Sequence, residues 1–304
     1  IVLSSETKTG MAELGGQYIS TFSVAPPDTT RPTVTASSLT PTTIVPPGPL
    51  TFTATFNEDL DTSGLGSENV FLQELDGDWI VQPVTLPVFD PGTMQLTIHF
   101  QDVDQGLYRL TLVSGATAFR DLAGNPLNGA PSFPLPSGQS NPAGDDFVVE
   151  FGVASLPQSF SSLGEQAPPG SLVYGADDVV GAFVAVNDPV TWPINLDAGQ
   201  QLAVRLLPAS GVQGKLEVFD PNNNLVVGGT ASAAKAGDVV GLQDLPISSA
   251  GTDTFKVTSL TGTGVYALGF LLNSSGDNEF LGAYSVYDTL PTAQNINGSV
   301  LALQ

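Results

Sequence analysis

The chain has 304 residues, with 30 acidic side chains against 8 Lys and Arg, and its formal net charge is −22. So few basic residues argue against nucleic acid and anionic membranes as partners, and the absence of cysteine excludes disulfides, thiol catalysis and thiolate metal sites. Hydrophobic residues make up 41% of the sequence, which is enough for folded cores, and none of their runs is long enough for a membrane span.

The first 27 residues are expected to form the last hairpin of a preceding module. Their strand TFSVA (residues 21–25) resembles EFGVA (residues 150–154), which indicates a weak internal repeat. Since an isolated hairpin is marginally stable in water, we expect residues 1–27 either to belong to a cut module or to add as a strand to a neighbouring copy. The next segment, APPDTTRPTV (residues 25–34), is polar and proline-rich, which is typical of a linker.

Apolar and polar residues then alternate with a period of two, which predicts antiparallel strands with one buried face. Proline and glycine clusters separate these runs at the spacing of a β-sandwich, and no convincing amphipathic helix is present. The apolar positions expected to be buried are Phe52, Ala54, Phe56, Leu96, Ile98, Phe100, Tyr108, Leu110, Leu112, Leu202, Val204, Leu206, Leu216, Val218, Phe255, Val257, Tyr266, Leu268, Phe270 and Leu272.

Within residues 28–155, the segments FNEDLDTSGL, NVFL, GLYRLTL and FRDLAGNPLNG resemble the bacterial Ig-like domains of surface proteins. Those domains carry an aromatic-x-Glu strand end, a Gly-x-Tyr near a late strand and an Asp-x-x-Gly-Asn loop. The insertion at residues 130–145 is longer than that pattern leads us to expect. The resemblance implies an Ig-like sandwich. The Gly-x-Tyr sequences that end at Tyr108 and Tyr266 suit tyrosine corners, which are structural.

Residues 156–280 are similar to the pre-peptidase C-terminal domain family, small β-sandwiches appended to secreted proteases and found in surface proteins. The resemblance is carried by WPINLDAGQQLAVRLL (192–207), KLEVFDPNNNLV (215–226) and GTGVYALGFLLN (262–273). The Asp-and-aromatic pattern that usually precedes the first of these is matched only loosely. The prediction is therefore an all-β chain of two antiparallel β-sandwich domains in tandem, the second jelly-roll-like, with residues 281–304 as a tail or the start of a further module.

Acidic residues gather in loops that we expect to meet at one end of the first sandwich. Calcium takes six to eight oxygens from carboxylates, carbonyls and water, so these loops could hold it and stiffen the linker. The same residue types also stabilise turns, and both interpretations stay open. The run from Asp220 to Asn224 is more simply a hairpin turn. The calcium-ligand candidates are Asp28, Glu58, Asp59, Asp61, Asp121 and Asn125.

The sequence favours a function without catalysis. No nucleophile motif accompanies His99, the only histidine, and neither Trp79 nor Trp192 neighbours an aromatic-rich loop of the kind a glycosidase cleft would need. We expect a structural module pair of a secreted or cell-surface protein: a stalk, spacer, adhesin or assembly subunit. Its expected partners are neighbouring modules or copies of itself joined by strand addition, or a glycan or surface protein. The alternative is an accessory binding domain of a secreted hydrolase, which an exposed aromatic cluster or groove on the second sandwich would favour.

Overall fold

The computed structural model describes residues 26–76, 80–138, 145–165 and 173–273. The expected N-terminal hairpin up to residue 25, the tail from residue 274 and Trp79 lie outside these ranges. The fold is all-β, with 53% of the described residues in strands. The single helical segment in the described ranges is a 3-10 turn at Ser67–Asn69. The predicted fold class, antiparallel β-sandwich architecture without helices, is confirmed.

Nine strands form the first sandwich. One sheet has the order β1-β3-β7-β6 and the other β2-β9-β8-β4-β5. All neighbours are antiparallel except β2, which runs parallel to β9. The strands are β1 (Val34–Ser37), β2 (Ile44–Val45), β3 (Gly48–Phe56), β4 (Val70–Glu74), β5 (Ile80–Val81), β6 (Val88–Asp90), β7 (Gln95–Val103), β8 (Gly106–Leu112) and β9 (Phe147–Val153).

Ten strands form the second sandwich. One sheet has the order β10-β11-β19-β14-β17, with β12 also paired to β19, and the other has the order β13-β18-β15-β16. The strands are β10 (Gly164–Glu165), β11 (Tyr174–Gly175), β12 (Val179–Phe183), β13 (Pro189–Leu196), β14 (Gln201–Pro208), β15 (Gln213–Phe219), β16 (Leu225–Ser232), β17 (Val240–Pro246), β18 (Gly251–Thr261) and β19 (Gly264–Leu272).

The alternating apolar positions fill the two cores as predicted. Each of the twenty residues expected to be buried is at most 3% exposed. In the first core, for example, Phe52 lies beside Ile98 in adjacent strands. In the second core, the Phe160 ring from the segment that joins the sandwiches lies edge-on to Phe270, with ring centroids 4.8 Å apart. Period-two alternation therefore identified the inward face of these strands correctly.

Strands β14 and β19 depart from simple alternation because they are buried on both faces. Most of their outward positions are buried, among them Ala203, Arg205, Val265 and Ala267. The reason is that this sheet packs on the first sandwich, whose Leu107 and Ala154 belong to the same apolar cluster as the second core. The second face of these strands is thus an inter-module surface.

The two tyrosines expected at tyrosine corners behave differently. The Tyr108 phenol forms a hydrogen bond with the backbone of Asp104, upstream in the chain, as the corner requires. The Tyr266 hydroxyl instead accepts a hydrogen bond from Trp192 Nε1 at 3.0 Å. The prediction is confirmed for Tyr108. It is wrong for Tyr266, because the indole across the core takes the place of a backbone partner.

Candidate functional site

Three of the predicted ligands meet at one end of the first sandwich. Asp28, Glu58 and Asp121 each offer a carboxylate oxygen, and these oxygens lie within 4.8 Å of one another. The loop after β3 carries Glu58 and is joined to the Asp121 loop by a β-bridge between Leu60 and Asp121. Asp28 lies in the segment before β1, where its backbone carbonyl accepts a hydrogen bond from Asn125 Nδ2 at 3.2 Å. We refer to Asp28, Glu58 and Asp121 as the acidic cluster.

Like charge dominates the electrostatics of the acidic cluster. Asp121 is 2% exposed, and its carboxylate accepts hydrogen bonds from the Asn125 backbone at 2.8 Å and from the Asn125 side-chain amide at 2.7 Å. Burial, followed by the charges of Asp121 and Asp28, raises the pKa of Glu58 above its usual range. A cation would relieve this repulsion, although calcium would need further oxygens beyond these three carboxylates.

The other predicted ligands take different roles. The Asn125 side-chain amide donates to the Asp121 carboxylate and to the Asp28 carbonyl. It therefore orients two members of the acidic cluster. The Asp61 carboxylate accepts from the Ser63 backbone and hydroxyl and from Arg120, and these hydrogen bonds lower the pKa of Asp61 to about 2. Asp59 also lies outside the acidic cluster. Four of the six predicted residues are therefore together, while Asp59 and Asp61 are not.

A second polar centre, not anticipated from the sequence, lies where the two sandwiches meet. The Arg205 guanidinium of β14 is 6% exposed and donates to Asp76 Oδ1 of the first sandwich at 2.8 Å. Its other terminal nitrogen donates to the remaining Asp76 oxygen and, at 2.8 Å, to Asp178 Oδ2 of the second sandwich. Burial opposes the charge of Arg205, but Asp178 and Asp76 outweigh it and raise the pKa of Arg205. We refer to Arg205, Asp76 and Asp178 as the junction clamp.

Further hydrogen bonds cross the same junction. Gln105 Nε2 of the first sandwich donates to the Asp178 carbonyl at 2.9 Å. Glu150 Oε2 of β9 accepts from the Ser210 backbone of the second sandwich at 2.7 Å. The other Glu150 oxygen accepts from Arg109 Nε at 2.9 Å, so this 7% exposed carboxylate is paired on both sides. The Asp178 carbonyl and the Glu150 carboxylate therefore have hydrogen-bond partners at the junction, as a stable interface requires.

Close apolar packing accompanies these polar contacts. Ile44 and Leu75 of the first sandwich pack against the second core. Gly152 of β9 lies so near the second sandwich that a Cβ there would come within 2.6 Å of Val180 Cγ1. Only glycine permits this approach of β9 without displacing a neighbour, so the fit between the modules is specific.

Aromatic residues of the second sandwich belong to its core. Phe160, Trp192, Phe255 and Phe270 form one cluster, in which Phe255 and Phe270 are at most 2% exposed. Among the described residues, the one aromatic side chain with large exposure is Phe71 of the first sandwich. The described part of the second sandwich therefore lacks the exposed aromatic platform that would favour a binding domain. A groove of about 410 Å³ does cross the junction, where its lining includes Phe133, Ser210 and Thr263.

The remaining residues singled out in the sequence have local partners. His99 is exposed, and its Nδ1 lies 3.0 Å from Thr51 Oγ1 on the neighbouring strand. Asp220 forms the predicted hairpin turn, because its Oδ1 accepts from the backbone of Asn222 at 2.9 Å and of Asn224 at 2.7 Å. In the described ranges, no helix is long and apolar enough to cross a membrane.

Comparison with known proteins does not place the chain in a family. No family model and no curated protein matches it. The periplasmic g-type lysozyme inhibitor PliG of Aeromonas hydrophila aligns with a TM-score of 0.24 at 17% identity, over 36% of this chain and 92% of PliG. The N-terminal part of the bacterial S-layer protein SbsC aligns with a TM-score of 0.27 at 14% identity, over 55% and 35%. A carbohydrate-binding module of Cellvibrio mixtus lichenase 5A, in complex with cellotriose, aligns with a TM-score of 0.24 at 15% identity, over 39% and 92%. Similarities this low carry no functional conclusion.

Proposed function

We propose that the chain is a non-catalytic structural segment of a secreted or cell-surface protein, in which two sandwiches act as one rigid unit. The observation that carries this proposal is the junction clamp, in which buried Arg205 pairs with a carboxylate from each sandwich. Domains joined by a flexible linker move independently unless their interface is extensive and well packed. A buried guanidinium fixes geometry, because displacing either carboxylate leaves a charge without its partner in a low-dielectric site.

Apolar packing at the junction supports the same proposal. Leu107 and Ala154 join the second core, and Gly152 allows β9 to lie against Val180. Interfaces that combine a continuous apolar core with paired polar groups resemble the interior of a single domain. A stalk or spacer needs such an interface, since it must keep its two ends at a fixed distance and orientation.

The strand order of the first sandwich supports the proposed kinship with Ig-like domains of surface proteins. Immunoglobulin sandwiches place strands A, B, E and D in one sheet and C, F and G in the other. The two-residue strands β2 and β5 are left aside, and the other seven strands are lettered A to G in chain order. One sheet, β1-β3-β7-β6, then has the order A-B-E-D, and the other, β9-β8-β4, has the order G-F-C. Tandem Ig-like modules are a common construction for extracellular spacers. A surface with a net charge of −22 also tolerates salt and attracts cations, as extracellular conditions demand.

Assembly by strand addition is part of the proposal. Strand β16 is the outer strand of its sheet, and its Leu225 and Val227 are 45% and 84% exposed. Outer strands with exposed apolar side chains readily pair with another chain. At the opposite edge of the sheet, β13 carries Pro189 and Pro193, which lack the N–H that pairing needs. We propose that β16 accepts a strand from a second copy.

Residual dipolar couplings of the full chain test the rigid-unit proposal. We expect one alignment tensor to fit the amides of both sandwiches. Gly152→Val should abolish this agreement while both sandwiches stay folded, because the new side chain would press on Val180. Gly164→Val is the matched control, since nothing lies within 4 Å of a Cβ there. Two different tensors for the unmodified chain would contradict the proposal.

The second candidate function is an accessory binding domain of a secreted hydrolase, and the groove across the junction favours it. Its lining combines apolar Pro41 and Phe133 with polar Ser210 and Thr263. Soluble oligosaccharides and unstructured peptides should be titrated separately into the labelled chain. Saturable shifts of the amides of Phe133 and Thr263 would support this alternative, and shifts that stay unsaturated at millimolar ligand would remove it.

A further inference from the structure

Two aspartates lie near each other at one end of the second sandwich, far in sequence from the acidic cluster. Strands β15 and β18 pair so that Val218 lies opposite Phe255 and Phe219 opposite Thr254. Continuing this register by one residue brings Asp220, the first residue after β15, opposite Asp253 of β18. Asp253 shares the inward face of β18 with buried Phe255, and the charge of Asp220 acts on it. Directly opposite residues of paired antiparallel strands have Cα atoms about 5 Å apart.

Asp253 is an unusual residue for its position. It is 1% exposed, and its Oδ2 is buried without a hydrogen-bond partner. No lysine shares its face of β18, because Lys256 lies on the other face and pairs with Glu217 at 3.1 Å. A buried carboxylate that lacks partners is costly, so a protein usually supplies it with a proton or a cation.

Asp220 brings a second negative charge to the same place. Its carboxylate accepts two backbone hydrogen bonds, from Asn222 and Asn224, and one from the Asn224 amide. These hydrogen bonds lower the pKa of Asp220, so it remains ionised. Burial and the charge of Asp220 together raise the pKa of Asp253 to about 6. Like charges directly opposite in a sheet destabilise it.

We propose that Asp220 and Asp253 hold a divalent cation, calcium by preference, at the end of the second sandwich. Calcium accepts irregular sets of carboxylate, carbonyl, amide and water oxygens, and the asparagine-rich turn after Asp220 is a source of such oxygens. Magnesium demands a near-ideal octahedron and keeps its waters, which suits a half-buried carboxylate pair less well. This site lies in one module and does not depend on the rigid junction or on the acidic cluster.

Calcium titration calorimetry on the chelator-treated full chain tests the site. Glu58→Gln is introduced first, to silence the acidic cluster. We expect this variant to bind one calcium ion per chain through the second sandwich, and Asp253→Asn in the same background to bind none. Asp188→Asn is the matched control, since it removes an exposed negative charge of the same module and should leave the stoichiometry at one.

Proton release gives an independent readout. Calcium displaces protons from its carboxylate ligands, so binding to the Glu58→Gln chain should release more protons at pH 6 than at pH 8. Asp220→Asn, which keeps a side-chain oxygen for the turn, replaces Asp253→Asn if the latter fails to fold. The proposal is overturned if the Glu58→Gln chain binds no calcium at millimolar concentration. It is equally overturned if Asp253→Asn leaves the stoichiometry unchanged.

Discussion

Replacing Arg205 by methionine should uncouple the two sandwiches. Methionine keeps much of the side-chain volume but removes the charge that pairs with Asp76 and Asp178. Breaking a buried pair by removing one partner costs about 3–5 kcal/mol, because the remaining charges stay buried. The Asp76 and Asp178 side chains are 26% and 30% exposed, which lets water reach them, so we expect the lower end, about 3 kcal/mol.

Urea unfolding followed by circular dichroism measures this loss. The intact chain should unfold in one cooperative transition, because each sandwich is stabilised by docking on the other. The Arg205→Met chain should show two transitions, the earlier one at a lower urea midpoint. The triple variant Arg205→Met, Asp76→Asn, Asp178→Asn leaves no unpaired charge, so we expect it to recover most of the lost free energy of unfolding, to within about 1 kcal/mol of the intact chain.

Arg120→Met provides the control. The Arg120–Asp61 pair lies within the first sandwich, with side chains 28% and 22% exposed. Its loss should lower the stability much less than the loss of Arg205 and should not divide the transition. If Arg205→Met unfolds in a single transition with an unchanged midpoint, the junction clamp does not couple the modules and the reasoning above is refuted.

Three further predictions concern pH, calcium and assembly. The folded-state pKa of Asp253, about 6, lies above its usual 3.8, so in chelator the stability should fall as the pH rises from about 4 to about 6. Asp253→Asn should abolish that slope and stabilise the chain above pH 6, and an unchanged melting curve at pH 7 would contradict this. If the acidic cluster binds calcium, millimolar calcium should raise the melting temperature of Asp253→Asn, and Glu58→Gln added to it should remove the rise. Deleting residues 1–27 should reduce self-association in light scattering, whereas a chain that is monomeric at all concentrations and unchanged by the deletion would exclude strand donation from that end.

The strands could be predicted because a solvated face and a buried face impose the same alternation everywhere. Phe52 and Val257, for example, lie between polar residues, which predicts that they face the core, and both are buried. The inter-module surface could not be predicted in this way. It uses small residues such as Ala203, Ala267 and Gly152, whose low apolar area does not distinguish a docking face from a solvated one.

The acidic cluster could be predicted in part, because loops at the same end of a sandwich converge. Glu58 and Asp121 meet across the Leu60 bridge, and Asp28 joins them through Asn125. Outside a regular strand, alternation no longer says where consecutive side chains point. Asp61 therefore turns to Ser63 and Arg120, and sequence reasoning had no basis for separating it from Glu58.

The sequence contains one signal for the junction clamp, but this signal does not identify the partners of Arg205. Arg205 interrupts an apolar run, LAVRLL, in a chain with only 8 cationic Lys and Arg residues. A guanidinium in such a strand must face either water or a carboxylate, and the small Ala203 on the same face favours neither. With 30 acidic residues available, the sequence alone could not identify Asp76, which lies 129 residues away. The pairing depends on how the two sandwiches dock, and we propose that, because it is buried, it in turn restricts that docking to one arrangement.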